Sequence, residues 1–180
     1  MTVDSKLFRA AMGRFASGVT VITVRDPQGN DHGMTASAFC SVSMDPPLML
    51  VCIKKGNRTL EHMTATDSPY QNQFAVSLLA RTQEENSNRF AGGYIDESGA
   101  WQRWPEDKDK FADLQTSRGE QSQAVFLDGA LAHLDCTVHA TYDGGDHIIV
   151  TGLIHNIKIG PAEAQPLLYF SGRYGDFSSS

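Results

Sequence analysis

The run from Leu131 to Ala140 constrains this chain most, because its residues alternate between two chemistries. Ala132, Leu134, Cys136, Val138 and Ala140 share one parity; His133, Asp135, Thr137 and His139 share the other. A period of two marks a β-strand whose faces meet different surroundings. Asp143-Gly144-Gly145-Asp146 then supplies hairpin-turn chemistry and returns the chain through His147 to Ile159. In that second strand both parities are apolar, with Ile148, Val150 and Ile154 against Ile149, Leu153 and Ile157. Neither face can be fully wet, so a core covers one and an interface or a ligand covers the other.

Other segments extend the pattern. Val19 to Val24 is β-rich, and Asp26-Pro27-Gln28-Gly29-Asn30 is a turn before the chain resumes at His32, which makes a hairpin. Leu48 to Ile53 and Phe74 to Leu79 read as strands, and Leu167 to Tyr174 as a final strand with Leu168 and Phe170 in the core. Helical spacing from Leu7 to Ala16 predicts one amphipathic helix, capped by Asp4 or Ser5 and closed at Gly18. Leu60 to Ala65 is a short helix capped by Asn57 or Thr59, and Thr82 to Phe90 a surface helix capped by Thr82. Residues 92–123 lose periodicity and gain charge, so they are expected to form a polar surface excursion anchored by Trp101 and Trp104. Strands joined by turns, with few helices, point to an antiparallel barrel or sandwich, and residues 1–180 suit one domain.

The formal charge of -6 disfavours a general nucleic-acid binder, which needs a basic face. Three cysteines, Cys40, Cys52 and Cys136, lack metal-type spacing and do not make a disulfide framework, so a reducing cytoplasm is expected. No run approaches the ~20 apolar residues of a membrane span, and no export signal is evident. The parts of zinc or serine hydrolases and the G-x-G-x-x-G dinucleotide fingerprint are absent. His133 and His139 lie about 20 Å apart along a strand, too far to share a metal ion.

Chemistry is suggested elsewhere. Gly33-Met34-Thr35-Ala36-Ser37-Ala38-Phe39-Cys40-Ser41-Val42-Ser43-Met44-Asp45-Pro46-Pro47 gathers small and hydroxyl residues, which let a backbone approach a flat ligand with a polar edge. Lys54-Lys55-Gly56-Asn57-Arg58-Thr59 follows a strand and precedes a helix, where free N–H groups and cations suit a phosphate; a solvated basic loop is the plain alternative. His147, at the entry to a strand, is either a donor at a barrel rim or a turn histidine bonded to Asp146. Arg173 and Tyr174 end the aromatic tail, where they could meet a ligand or another subunit.

The chain resembles the short-chain flavin reductases, the reductase components of two-component flavin-dependent monooxygenases. The resemblance is carried by Phe8-Arg9, Phe15-Ala16-Ser17-Gly18-Val19, Gly33 to Ser37, Ser41 to Pro47, Phe74 to Leu79, Gly145-Asp146-His147 and Pro166 to Phe170. It implies a mainly β, antiparallel Greek-key split barrel with a few flanking helices, the FMN-binding split barrel, working as a homodimer without nucleic-acid or membrane partners. It further implies hydride transfer from NADH or NADPH to FMN or FAD, with the reduced flavin passing to a separate monooxygenase. Carried onto this sequence, Thr35, Ala36 and Ser37 meet the flavin, with Ser43 and Asp45 nearby. Cys52, Ile53 and Lys54 continue along it, and Asn57, Arg58 and Thr59 hold its phosphate. His147 lies on the nicotinamide side, bordered by Ser17, Gly18, Arg173 and Tyr174. No metal is implied, and no acid or base is needed, since hydride transfer asks the protein chiefly for alignment. A flavin-binding electron carrier with tightly held FMN is the alternative. The excursion with Trp101 and Trp104 departs from the family pattern.

Overall fold

The structure, a computed structural model, describes residues 3–175. Asp4 opens helix α1 (Ser5–Met12), its carboxylate accepting the N–H groups of Lys6 and Leu7 at 2.9 and 3.0 Å. The helix closes at Gly13 and not at Gly18, because Ser17-Gly18 is drawn into strand β1 (Ser17–Gly18), paired with the C-terminal tail. Strands β2 (Thr20–Arg25) and β3 (Asp31–Ala36) form a hairpin. Its turn is held by Asp26, which accepts N–H groups from Gln28 and Asn30 at 2.9 and 2.8 Å. A second hairpin joins β4 (Phe39–Met44) to β5 (Pro47–Lys54), followed by α2 (Arg58–Thr64) and β6 (Gln73–Leu78).

A 3₁₀ turn at Arg81–Gln83 leads into α3 (Glu84–Ala91). Thr82 does not cap this helix. The Gln83 side chain instead accepts the Ala80 N–H at 3.0 Å and donates to the Asp128 carbonyl at 3.1 Å. Nor is α3 only a surface helix, since Ser87, Asn88 and Phe90 are buried. The excursion after it contains two short ribbons, β7 (Gly93–Ile95) with β8 (Trp101–Arg103) and β9 (Thr116–Arg118) with β10 (Val125–Leu127). The long hairpin β11 (Ala132–Gly144) and β12 (His147–Ile159) turns at Gly145-Asp146, with Gly145 at φ 82°. The tail is not one strand: Ser171 and Gly172, both at positive φ, fold β13 (Leu168–Phe170) back on β14 (Arg173–Gly175). Leu167 is its core residue, while Phe170 is 46% exposed.

The seven main strands run in the order β3-β2-β6-β11-β12-β5-β4, all pairs antiparallel. Ser37 and Ala38 link β3 to β4 across the seam, and the Ala38 carbonyl accepts the Cys52 N–H at 3.0 Å. The sheet thereby curls until β3 meets β5, giving the mainly β split barrel with flanking helices. Met49, Val51 and Ile53 alternate inward along β5 and join Ile22, Val24, Phe74, Val76, Cys136 and Val150, with Leu60 and Met63 of α2 closing one side. A second cluster, Val19, Val21, Leu79, Phe90, Val125, Leu127 and Leu167, fills the opposite face of β2.

The first half of the polar parity of β11 is covered as well, while His139 farther along is exposed. His133 and Asp135 are buried, the imidazole 3.3 Å from the Ser77 hydroxyl, the carboxylate accepting N–H groups from Gln121 and Ser122 at 2.7 and 3.0 Å. Burial pushes the His133 pKa down. In β12, Val150 is fully buried but Ile157 and Ile159 are bare, as are Leu7, Phe8, Met12 and Phe15 around α1 and Met44 on β4. No helix among the described residues is long and apolar enough to cross a membrane.

Candidate functional site

Three elements converge where β5 ends. Lys54, its last residue, pairs in register with His147, the first residue of β12. The next N–H, of Lys55, donates to the Asp146 carbonyl at 3.1 Å, and the Lys55 ammonium reaches Asp143 at 2.7 Å. The tip of the long hairpin is thus strapped to the start of α2. Gly56 turns the chain at φ 76°, and Asn57 caps the helix by accepting the Thr59 N–H at 2.9 Å. The Lys54 and Arg58 side chains are exposed and make no ion pair among the described residues. Such a corner leaves two cations and the main-chain donors of a helix start available to an anion.

His147 bonds Asp146, Nδ1 to Oδ1 at 2.7 Å, as the turn-histidine alternative had it. That bond holds the Asp146 carboxyl below the usual carboxylate range and fixes the ring by one nitrogen. Nε2 has no protein partner among the described residues.

The second group lies along β3. As the first strand of the sheet it has one unpaired edge, so alternate N–H and C=O groups can meet the polar rim of a flat ligand. Thr35 donates its hydroxyl proton to the Ser87 carbonyl at 2.6 Å, and the Ser87 hydroxyl lies 2.8 Å from the Tyr174 hydroxyl. One fully buried serine on α3 thereby ties β3 to β14. Burial pushes the Tyr174 pKa up, against the lowering effect of its hydrogen bond with Ser87. Thr35, Ser37, Ser87, Trp101, Arg173 and Tyr174 line a cavity of about 620 Å³, a size suited to a small-molecule ligand. Ser17 and Gly18 sit beside it, paired with Tyr169 and Leu168 in a three-stranded sheet that also carries Arg173 and Tyr174. Asn57, Arg58 and Thr59 border a second cavity, of about 510 Å³, against His32, Gly33 and Met34 of β3.

The structure therefore brings Cys52, Ile53, Lys54, Asn57, Arg58, Thr59 and His147 to one corner, with Ala36 on the strand that meets β5. Ile53, Thr59 and Ala36 are buried, so they can offer a ligand main-chain groups only. Burial, reinforced by Cys40, pushes the Cys52 thiol up, which keeps it protonated. Ser43 and Asp45 do not join them: Ser43 pairs with Leu48, and Leu48 is about 20 Å along β5 from Lys54. The β4 strand that begins beside Ser37 simply carries them away. Ser87 and Tyr169 were missed; a small polar residue on a polar helix gives no sign of a partner so distant in sequence.

The barrel and its corner define a protein shaped to hold flat, phosphorylated ligands at the edge of a split sheet. Residues 12–178 match the family model described as flavin reductase like domain, and the chain belongs to that family. It is 37% identical over 175 residues to an NADH-dependent FAD reductase of Streptomyces globisporus, covering 97% of this chain and 87% of the relative. It is also 37% identical over 167 residues to the reductase component of a 4-hydroxyphenylacetate 3-monooxygenase of Thermus thermophilus, covering 93% of each. Among solved structures, the Streptomyces globisporus C-1027 NADH:FAD oxidoreductase SgcE6 with NAD and FAD fragments superposes with a TM-score of 0.81 at 35% identity, over 99% of this chain and 97% of that one.

Proposed function

We propose that this protein is an NAD(P)H:flavin oxidoreductase that reduces FMN or FAD and releases the reduced flavin to a separate flavin-dependent monooxygenase. The observation that carries the proposal is the corner itself: Lys54 and Arg58, which form no ion pair among the described residues, stand where the β3 edge, the α2 start and His147 meet. These residues fit a flavin, which presents a hydrogen-bonding ring edge and a phosphate. When bound, the nicotinamide supplies a hydride and the flavin ring accepts it.

The chain's own contribution is alignment. The free edge of β3 at Thr35 to Ser37 offers main-chain groups to the ring, and Arg58 with the Asn57-capped turn holds the phosphate. His147, fixed through Nδ1 by Asp146, directs Nε2 to the nicotinamide side. Arg173 and Tyr174, steadied by Ser87, line the nearby cavity. Neighbours named as an NADH-dependent FAD reductase and a monooxygenase reductase component support this reading. A homodimer is favoured because α1, the end of β12 and Met44 expose apolar side chains that a second copy would cover. The free cysteines suit a reducing cytoplasm.

The test is NADH oxidation by protein freed of flavin, followed as flavin is added. The rate should rise from near zero and saturate with flavin in large excess over enzyme. Undiminished oxidation on one tightly held flavin, with no response to added flavin, would instead identify an enzyme that retains its cofactor.

A further inference from the structure

Two sheets border the larger cavity with their edges. β3 is the outermost strand of the seven-stranded sheet and β14 that of the three-stranded one, and no strand pairing joins the two edges among the described residues. An edge strand is held on one side only, so the separation of two such edges depends on what bridges them. Here the bridge is one residue of α3. The Ser87 carbonyl accepts the Thr35 hydroxyl from β3 at 2.6 Å, and the Ser87 hydroxyl lies 2.8 Å from that of Tyr174 on β14. The serine is fully buried, which keeps both bonds away from bulk water. α3 is itself a fixed support. At its start Gln83 is bonded to the Ala80 N–H and the Asp128 carbonyl. Near its end the Arg89 guanidinium donates to the Ala112 carbonyl at 2.9 Å and lies 4.6 Å from the Trp104 ring centroid, while Phe90 is buried edge-on against Phe111. On the far side Tyr174 passes the position on: its ring packs edge-on against Tyr169, centroids 5.3 Å apart, and Tyr169 pairs with Ser17.

We propose that Ser87 is a positioning residue for hydride transfer: with its carbonyl on β3 and its hydroxyl on β14, it sets the separation at which flavin and nicotinamide face each other. This rests on the placement of the flavin along Thr35 to Ser37 and of the nicotinamide beside Arg173 and Tyr174. The Ser87 hydroxyl is taken up by Tyr174, so the serine acts through that residue, and the hydride itself passes between the two cofactors. Ser87→Ala removes the hydroxyl half of the bridge and leaves the Thr35 bond, which uses the main chain. The flavin edge therefore keeps its place while β14 loosens. Transfer needs the reacting atoms within about 3–3.5 Å, so a small slip slows it without weakening flavin binding.

The test is anaerobic stopped-flow measurement of flavin reduction by the full-length protein with NADH and flavin saturating, beside fluorescence titration of flavin. Wild type, Ser87→Ala, Tyr174→Phe and the double variant are compared. Ser87→Ala should slow flavin reduction about tenfold and change the flavin Kd less than about twofold. Tyr174→Phe should slow it by a similar factor, and the double variant no more than the slower single one, because each change removes the same bond. A serine that only stabilises the fold would leave the saturated rate untouched. An unchanged rate in the single variants, a flavin Kd raised as much as the rate falls, or factors that multiply in the double variant would each overturn the proposal. If Ser87→Ala misfolds, Tyr174→Phe decides alone, and an unchanged rate again overturns the assignment. If wild type passes no hydride to flavin, it is the proposed function that falls.

Discussion

Replacing Tyr174 by Phe tests the bond network beside the larger cavity. Ser87 is fully buried, and its hydroxyl lies 2.8 Å from the Tyr174 hydroxyl. Tyr174→Phe removes one oxygen from a half-buried ring and leaves the buried serine hydroxyl without its partner. A buried polar group left unsatisfied costs about 1–3 kcal/mol. Ser87→Ala is milder, because the phenol it abandons is only partly buried and water can reach it; about 1 kcal/mol is expected. The double variant has no orphan and should lose about as much as Ser87→Ala alone. The cycle therefore predicts a coupling energy of about 1–3 kcal/mol, equal to the loss from Tyr174→Phe alone. Thr35 should keep its own bond throughout, since it donates to the Ser87 carbonyl and not to the side chain. Urea denaturation of the four proteins, with a common m value, measures the cycle. Single losses that add to within about 0.5 kcal/mol would refute the reasoning, because the two hydroxyls would then be energetically independent.

Arg58→Ala should weaken FMN and FAD by roughly 10- to 100-fold and leave riboflavin, which lacks phosphate, almost unchanged; calorimetric titration of the three checks it. His147→Ala should raise the KM for NADH far more than that for flavin in steady-state kinetics, and parallel increases would remove it from the nicotinamide side. Stability should fall in acid partly through Asp26. Burial raises its pKa, but hydrogen bonds from Asn30 and His32 outweigh this and hold the carboxyl well below its ordinary value. The unfolded state then binds the proton first, so this contribution is present above the ordinary carboxylate pKa and is lost as pH drops toward the folded value. Asp26→Asn should flatten the fall of the unfolding free energy below about pH 4, measured by urea denaturation across pH.

Strands β2, β3, β5, β6, β11 and β12 were legible because each carries its own signal within a few residues, whereas β4 and the short ribbons β7 to β10 carry none. The β11–β12 hairpin needed only a period of two and a Gly-Gly turn. Features governed by distant pairing were not legible. Gly13 and Gly18 can both end a helix, and the choice between them is made by Ser17 and Gly18 pairing with Tyr169 and Leu168. Thr82 has the chemistry of a cap, but it falls inside the 3₁₀ turn, which the Gln83 side chain closes by accepting the Ala80 N–H and donating to the distant Asp128 carbonyl, and α3 begins at Glu84 with no side-chain cap. Asp135, on the polar parity of β11, is buried because the loop before β10 folds over it. At the site, Lys54 to Thr59 are contiguous, so one stretch of sequence announced most of the corner. The resemblance put Ser43 and Asp45 near Ser37, and β4 carries them away at about 3.3 Å per residue. The Ser87–Tyr174 bond joins positions with no local sign of each other.

The central claim is that flavin leaves this protein after it is reduced. An anaerobic mixture of protein, excess NADH and a large molar excess of flavin, passed through a membrane that retains the protein, tests it most directly. The filtrate should contain reduced flavin in many-fold excess over the enzyme, accumulating in step with NADH oxidised. Reduced flavin confined to the retained protein, at no more than one per chain, would contradict the account.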